Sequence, residues 1–140
     1  MILFDTSVII DARDSKSPFH GWAKQQISKC VAGEGAVINS IVISEASVRV
    51  EKRDSFIRHL ENIGLTLLPL PVSAAIPAAQ AYALYLDRLK SEGKTAKSKI
   101  PLGDFFIGAH AEAEDMTLVT RDPDRISSYF PKVRLLQPLI

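Results

Sequence analysis

The sequence is poor in the features that make many small proteins easy to classify. It has one cysteine, Cys30, in 140 residues. An intrachain disulfide and a thiolate metal cluster are therefore excluded. Cys30 reads as a small buried hydrophobe on a helix. The three histidines, His20, His59 and His110, show no metal-ligand spacing with one another. Charge of one sign is not in excess: the formal net charge is +1. A global basic signature of nucleic-acid binding is thus missing, and any such binding must come from a local patch. No apolar run is long enough to span a bilayer. The chain starts directly in a strand-like run, with no basic n-region and no small-residue cleavage site. A cytoplasmic protein, not a secreted one, is the expectation. Repeats, linkers and low-complexity tracts are missing as well.

What is there is a hydrophobic content of 46%, which fits a compact globule and not a disordered chain. At this length residues 1–140 form one domain with a full core. Short apolar runs at Ile2–Phe4, Ala36–Ile38, Leu65–Leu68, Thr117–Val119 and Val133–Leu136 read as strands. Helical segments fall between them: a turn at Thr6–Ala12, then Pro18–Val31, Asn39 or Ser40 to about Arg49, Asp54–Asn62, Val72–Leu89, Leu102–Glu114 and Asp124–Tyr129. This alternation predicts a three-layer α/β domain with a mostly parallel sheet of about five strands.

Four acids sit where acids are out of place. Asp5 follows Ile2-Leu3-Phe4, and Asp122 follows Met116 to Thr120 after Arg121. Glu45 lies inside Ile41-Val42-Ile43-Ser44-Glu45-Ala46, and Asp104 opens Phe105-Phe106-Ile107-Gly108-Ala109. Sites in parallel α/β sheets form beyond the carboxyl ends of strands, where Asp5 and Asp122 stand. The helix carrying Asp104 precedes the fourth strand, so its N-terminus lies at the same edge. On its helix Glu45 shares a face with Ile41, Val42 and Val48, and Asp104 shares one with Ile107, Gly108 and Ala111. Both acids are expected to point inward.

Burying one unpaired carboxylate is expensive, so several together suit a shared cation. Mg²⁺ or Mn²⁺, which prefer oxygen ligands, would support phosphodiester hydrolysis without a histidine base or a nucleophilic serine. Simpler roles exist for each acid. Asp5 could start an Asx-turn, Asp104 could cap a helix, and Asp122 before Pro123 could serve a turn. Glu45 is the hardest to explain that way, because it interrupts an apolar face.

At these residues the chain resembles the PIN-domain ribonucleases, most closely the VapC toxins of type II toxin–antitoxin systems. Ile2-Leu3-Phe4-Asp5-Thr6-Ser7-Val8-Ile9-Ile10 is similar to the family's first motif, and Asn39-Ser40-Ile41-Val42-Ile43-Ser44-Glu45 to its second. Pro101 to Ala111, around Asp104, is similar to the third. Leu118-Val119-Thr120-Arg121-Asp122 is similar to the fourth, and Leu135-Leu136-Gln137-Pro138 fits the chain's end. The resemblance covers the whole chain and rests on the ordered set of motifs, each weak alone. It implies a Mg²⁺-dependent endoribonuclease, with Asp5 and Asp104 as metal ligands and Glu45 and Asp122 completing a catalytic acidic pocket. Thr6 or Ser7 would orient Asp5 or a bound water, with Thr120 in support. It also implies a cognate antitoxin partner. The apolar helices Ile41–Val50 and Ala74–Leu86 offer more apolar surface than one small sheet needs, so a homodimer is expected.

Other features carry less. Gly93-Lys94-Thr95 looks like the end of a phosphate-binding loop, but Arg88 holds the place of the earlier glycine and a helix precedes it. Lys90, Lys94, Lys97 and Lys99 are candidate RNA phosphate contacts, and Arg13, Arg121 and Arg125 could ring the pocket mouth. His110 and Glu114, four apart, are expected to make a surface contact. Phe19, Trp22 and Phe130 are expected in the core. A phosphotransfer domain of the haloacid-dehalogenase type would need an acid where Ser7 stands. The remaining alternatives are an inactive PIN-like RNA- or protein-binding module, a housekeeping RNA-processing nuclease, or a DNA-directed nuclease of the same fold.

Overall fold

Ile2, Leu3 and Phe4 are all buried, and so are Ala36 through Asn39. Strands with no polar face belong in the middle of a sheet covered on both sides. The computed structural model, which describes residues 1–93 and 100–139, places them there. Strands β1 (Ile2–Phe4), β2 (Ala36–Asn39), β3 (Thr66–Leu68), β4 (Thr117–Val119) and β5 (Leu135–Leu136) form a sheet in the order β3-β2-β1-β4-β5. All four pairings are parallel, so the sheet is wholly and not just mostly parallel. The edge strands β3 and β5 are the more exposed.

Helices α1 (Thr6–Arg13), α2 (His20–Ala32), α3 (Ser40–Ser47), α4 (Arg53–Asn62), α5 (Ala75–Ser91), α6 (Leu102–Ala113) and α7 (Pro123–Ser127) complete the three-layer α/β arrangement. The long helix expected from Val72 begins instead with a 3-10 turn at Val72–Ala74. Pro77 falls in the first turn of α5, where a missing N–H costs no intrahelical bond. At α3, Asn39 is the cap: its Oδ1 accepts the Val42 N–H at 3.0 Å.

The connectivity fixes where a site can form. From β1 the chain moves outward to β2 and β3, then returns to the other side of β1 to lay down β4. The C-terminal ends of β1 and β4 therefore flank a topological switch point, where neighbouring connections diverge and leave a crevice.

Three expectations about side chains are corrected. Val48 is 64% exposed, not part of the inward stripe: α3 ends at Ser47. Phe19 is half-buried outside the core, beneath the guanidinium of Arg121. His110 is 2% exposed and bonded inside the protein, so it makes no surface contact. Trp22 packs against the core and Phe130 lies within it, as expected.

Candidate active site

Asp5 ends β1 and caps α1. Its Oδ1 accepts the Thr6 N–H at 2.8 Å and its Oδ2 accepts the Thr120 hydroxyl at 2.8 Å. Thr120 is fully buried just past β4, and its Oγ1 also accepts the Asp122 N–H at 3.1 Å. One hydroxyl therefore ties the ends of β1 and β4 together across the crevice. Thr6 does a second job, donating its hydroxyl to Glu45 Oε1 at 2.6 Å. Between the two candidates, Thr6 is the one that reaches an acid. The Ser7 hydroxyl is buried and finds no partner among the described residues.

Glu45 lies on α3, against the first turn of α6. A methyl group on Gly103 would stand 3.2 Å from Glu45 Oε2 and 3.2 Å from Ile41 Cγ2. The glycine lets α6 approach this carboxylate, a role its sequence neighbourhood did not reveal. Asp104 follows it in that turn, and its Oδ2 accepts from Arg125 Nη1 at 3.1 Å. Its neighbour Phe105 is wedged among Tyr82, Tyr85 and Tyr129, with ring centroids 5.1–5.4 Å away. Aromatic edge contacts of this kind hold geometry as well as bury area, so the start of α6 is firmly seated. Asp122 stands exposed before α7.

The electrostatics show that the acids share one space. Burial pushes the Asp5 carboxyl up to about 6, helped by repulsion from Asp104 and Glu45 and opposed by the bonds from Thr120 and Thr6. Burial also raises the Asp104 carboxyl, with Asp122 adding and Arg125 opposing. The structure thus brings Asp5, Glu45, Asp104 and Asp122 to the crevice. Of the simpler roles one is filled: Asp5 does cap α1, whereas α6 has no side-chain cap and Asp122 makes no side-chain capping bond.

The donor set is oxygen only, which fits a hard divalent cation. Among the described residues no three acidic, histidine or cysteine side chains converge tightly enough to enclose an ion unaided. Mg²⁺ keeps several waters and needs only one or two carboxylates, so an open cluster of this kind fits it.

Arg121 is not free. Its Nη1 lies 3.3 Å from Asp11 Oδ1, and its guanidinium stacks over Phe19 at 5.3 Å. Asp11 is only 3% exposed and also accepts the Ser17 hydroxyl at 2.9 Å. This acid was missed in the sequence, although it stands three residues after Val8 on the buried side of α1. Lys90 is exposed at the end of α5. Lys94, Lys97 and Lys99 lie outside the described residues.

Beside Glu45 an open groove of about 730 Å³ runs between α1, α3 and α4. Ile10, Val48 and Phe56 line its apolar part, and Arg13, Asp14 and Arg49 its charged part. Arg13 is also stacked on Phe56 at 5.0 Å.

The PIN domain sequence profile matches residues 2–131. The chain belongs to the PIN-domain family. No curated protein matches the sequence. Among solved structures, the PIN fold recurs in VapBC2 from Rickettsia felis bound to a promoter DNA fragment, with TM-score 0.69, 19% identity and 98% of each chain covered. It recurs in DNA-bound VapBC from Salmonella typhimurium, with TM-score 0.66, 20% identity and 98% of each chain covered. It recurs also in VapC20 of Mycobacterium tuberculosis, described as a toxin that cleaves the sarcin-ricin loop. There the TM-score is 0.60 and the identity 15%, over 96% of this chain and 99% of that one. At these identities the likeness is one of fold.

Proposed function

We propose that this PIN domain is a Mg²⁺-dependent endoribonuclease, Mn²⁺ serving as well, and the toxin of a toxin–antitoxin pair. The observation that carries the reading is the convergence of Asp5, Glu45, Asp104 and Asp122 on one crevice, with the Asp5 carboxyl held near 6 by burial and by its acidic neighbours. Such a cluster is unfavourable for folding by itself and becomes favourable with a cation.

Asp5 and Asp104 are the proposed ligands. A bound divalent cation would polarise the scissile phosphate and supply an activated water. Thr6 and Thr120 hold the Glu45 and Asp5 carboxylates in place, leaving Glu45 and Asp122 to orient water at the open side. Arg125, 52% exposed and paired with Asp104, can turn toward a phosphate once a cation replaces it beside that acid. Lys94, Lys97 and Lys99 are proposed to contact the RNA backbone. Arg121 has a weaker claim, since Asp11 already holds it.

The partner proposals rest on two surfaces. The groove beside Glu45 fits the tail of an antitoxin, with an Arg side chain of that tail reaching the acids in place of the cation. Solved neighbours include toxin–antitoxin complexes, one of them from Klebsiella pneumoniae. Exposed Val72, Ile76 and Leu84 on and before α5 suit a homodimer contact.

The test is expression. Production of the chain alone should arrest growth, and co-production with the product of the adjacent gene should restore it. The Asp104→Asn variant should be harmless. Harmless expression of an RNA-cleaving wild-type protein would favour a housekeeping nuclease instead.

A further inference from the structure

Among the described residues the core holds a buried polar pair that the acidic site does not use. Asn39, with no exposed surface, and His110, 2% exposed, meet at 3.0 Å between Asn39 Nδ2 and His110 Nδ1. Their places in the fold matter. Asn39 caps α3, which carries Glu45, and His110 sits on α6, which carries Asp104. The bond therefore spans the two helices whose acids must meet. The helices also meet where Gly103 permits the approach to Glu45, at the opposite end of α6's inner face.

The protonation state of this pair follows from the backbone. Asn39 Oδ1 accepts the Val42 N–H at 3.0 Å. Turning the amide over would set an NH₂ group against that N–H, so the oxygen is fixed on the α3 side. The group facing His110 is then an NH₂, which can only donate. Nδ1 of His110 must offer a lone pair, and the ring proton must be on Nε2. An imidazolium has no lone pair at Nδ1 and would oppose donor to donor.

We propose that the Asn39–His110 hydrogen bond is a positioning clamp that holds the Glu45 helix and the Asp104 helix in working register, and that it exists only while His110 is neutral with its proton on Nε2. The proposal rests on the reading of Glu45 and Asp104 as parts of one metal-dependent site. The surroundings are consistent with a neutral ring. Burial lowers the His110 pKa, and Glu114, one turn further along and just past the end of α6, opposes that effect. The cavity that His110 and Glu114 line is otherwise walled by Met1, Leu68, Pro69, Pro71 and Met116.

The test is made on the full chain. Nitrogen-15 NMR of wild-type protein near neutral pH should show His110 with its proton on Nε2 and titrating below a free histidine. Asn39→Asp keeps an acceptor for the Val42 N–H but cannot donate to the ring. It should move the ring proton to Nδ1 and raise the His110 titration. Calorimetric titration with Mn²⁺ gives the second readout. His110→Leu and Asn39→Asp should each weaken Mn²⁺ binding about tenfold, the scale of losing an outer support of a metal site. RNA cleavage by these variants should lose kcat with little change in KM. His110→Asn, which restores an acceptor carbonyl near the Nδ1 position, should stay close to wild type and carries the comparison if His110→Leu does not fold. A ring proton on Nδ1 in wild type overturns the proposal. So does unchanged Mn²⁺ affinity in Asn39→Asp, which removes the bond whether or not His110→Leu folds. If the wild type binds Mn²⁺ but cleaves no RNA, the nuclease reading fails while the NMR and calorimetry still decide the clamp.

Discussion

At the scale of the residue, the Asp5 carboxyl is strongly perturbed. Its carboxyl titrates near 6 instead of near 3.8, so the folded state holds this proton more tightly than the unfolded chain does. The associated stability is complete below the unfolded value and is lost as pH rises through about 6. Without metal, the stability of wild type relative to Asp5→Asn should therefore fall between about pH 4 and about pH 7, by up to about 3 kcal/mol. Denaturant unfolding across that range checks this, and a flat difference would contradict it. His110 acts with the opposite sign. Its pKa is lowered from 6.5, so its contribution is present above that value and is lost as pH falls below it. Saturating Mg²⁺ should raise Tm most above pH 6, where Asp5 is ionised. Asp5→Asn should remove most of that gain. Thr120→Val removes the hydroxyl shared by Asp5 and Asp122 and should cost about 1–3 kcal/mol, because it strands an acceptor and a backbone donor.

At the scale of the element, two glycines on α6 have different work. A methyl on Gly108 would lie 2.5 Å from the ring of Phe130, which is itself buried. Gly108→Ala should therefore destabilise by about 1–3 kcal/mol, the usual cost of overfilling a core, and a loss near zero by thermal unfolding would contradict the packing. Gly103→Ala meets a carboxylate and a methyl group at 3.2 Å, a contact that a small shift can relieve. Its stability should hardly move while cleavage falls, because the shift displaces Glu45. The elements themselves were legible in the sequence. Strands such as Ile2–Phe4 are continuous apolar runs between turn residues, and Asn39 stands where a cap is expected. Their inner faces were less so. Val48 continues the spacing of Glu45 but falls past the end of α3 and into solvent. His110 looked like a surface residue paired with Glu114, because its real partner is 71 positions away. The four acids could be placed at one edge from the ends of the apolar strands and the direction of the helices between them. The hydroxyls of Thr6 and Thr120, the pinning of Arg121 by Asp11, and the use of Gly103 all depend on contacts between distant elements, which spacing does not encode.

At the scale of the whole molecule, the sheet order makes the site. Placing β4 beside β1 after β2 and β3 have gone the other way opens the crevice at Asp5 and Asp122, and α3 and α6 close on it with Glu45 and Asp104. Substrate engagement is expected to be electrostatic and local, since net charge is only +1. Changing Lys94, Lys97 and Lys99 together to Ala should lower RNA affinity and reduce the logarithmic salt slope by roughly two units; an unchanged slope would remove those lysines from the interface. The central claim is that the acidic crevice hydrolyses RNA with a divalent cation. The most direct measurement is cleavage of a defined RNA by the purified protein in Mg²⁺, in EDTA, and with Asp104→Asn in Mg²⁺. The account predicts cleavage in the first condition alone, with Asp104→Asn folded and inactive. Full cleavage in EDTA, or a wild-type rate from Asp104→Asn, would contradict it.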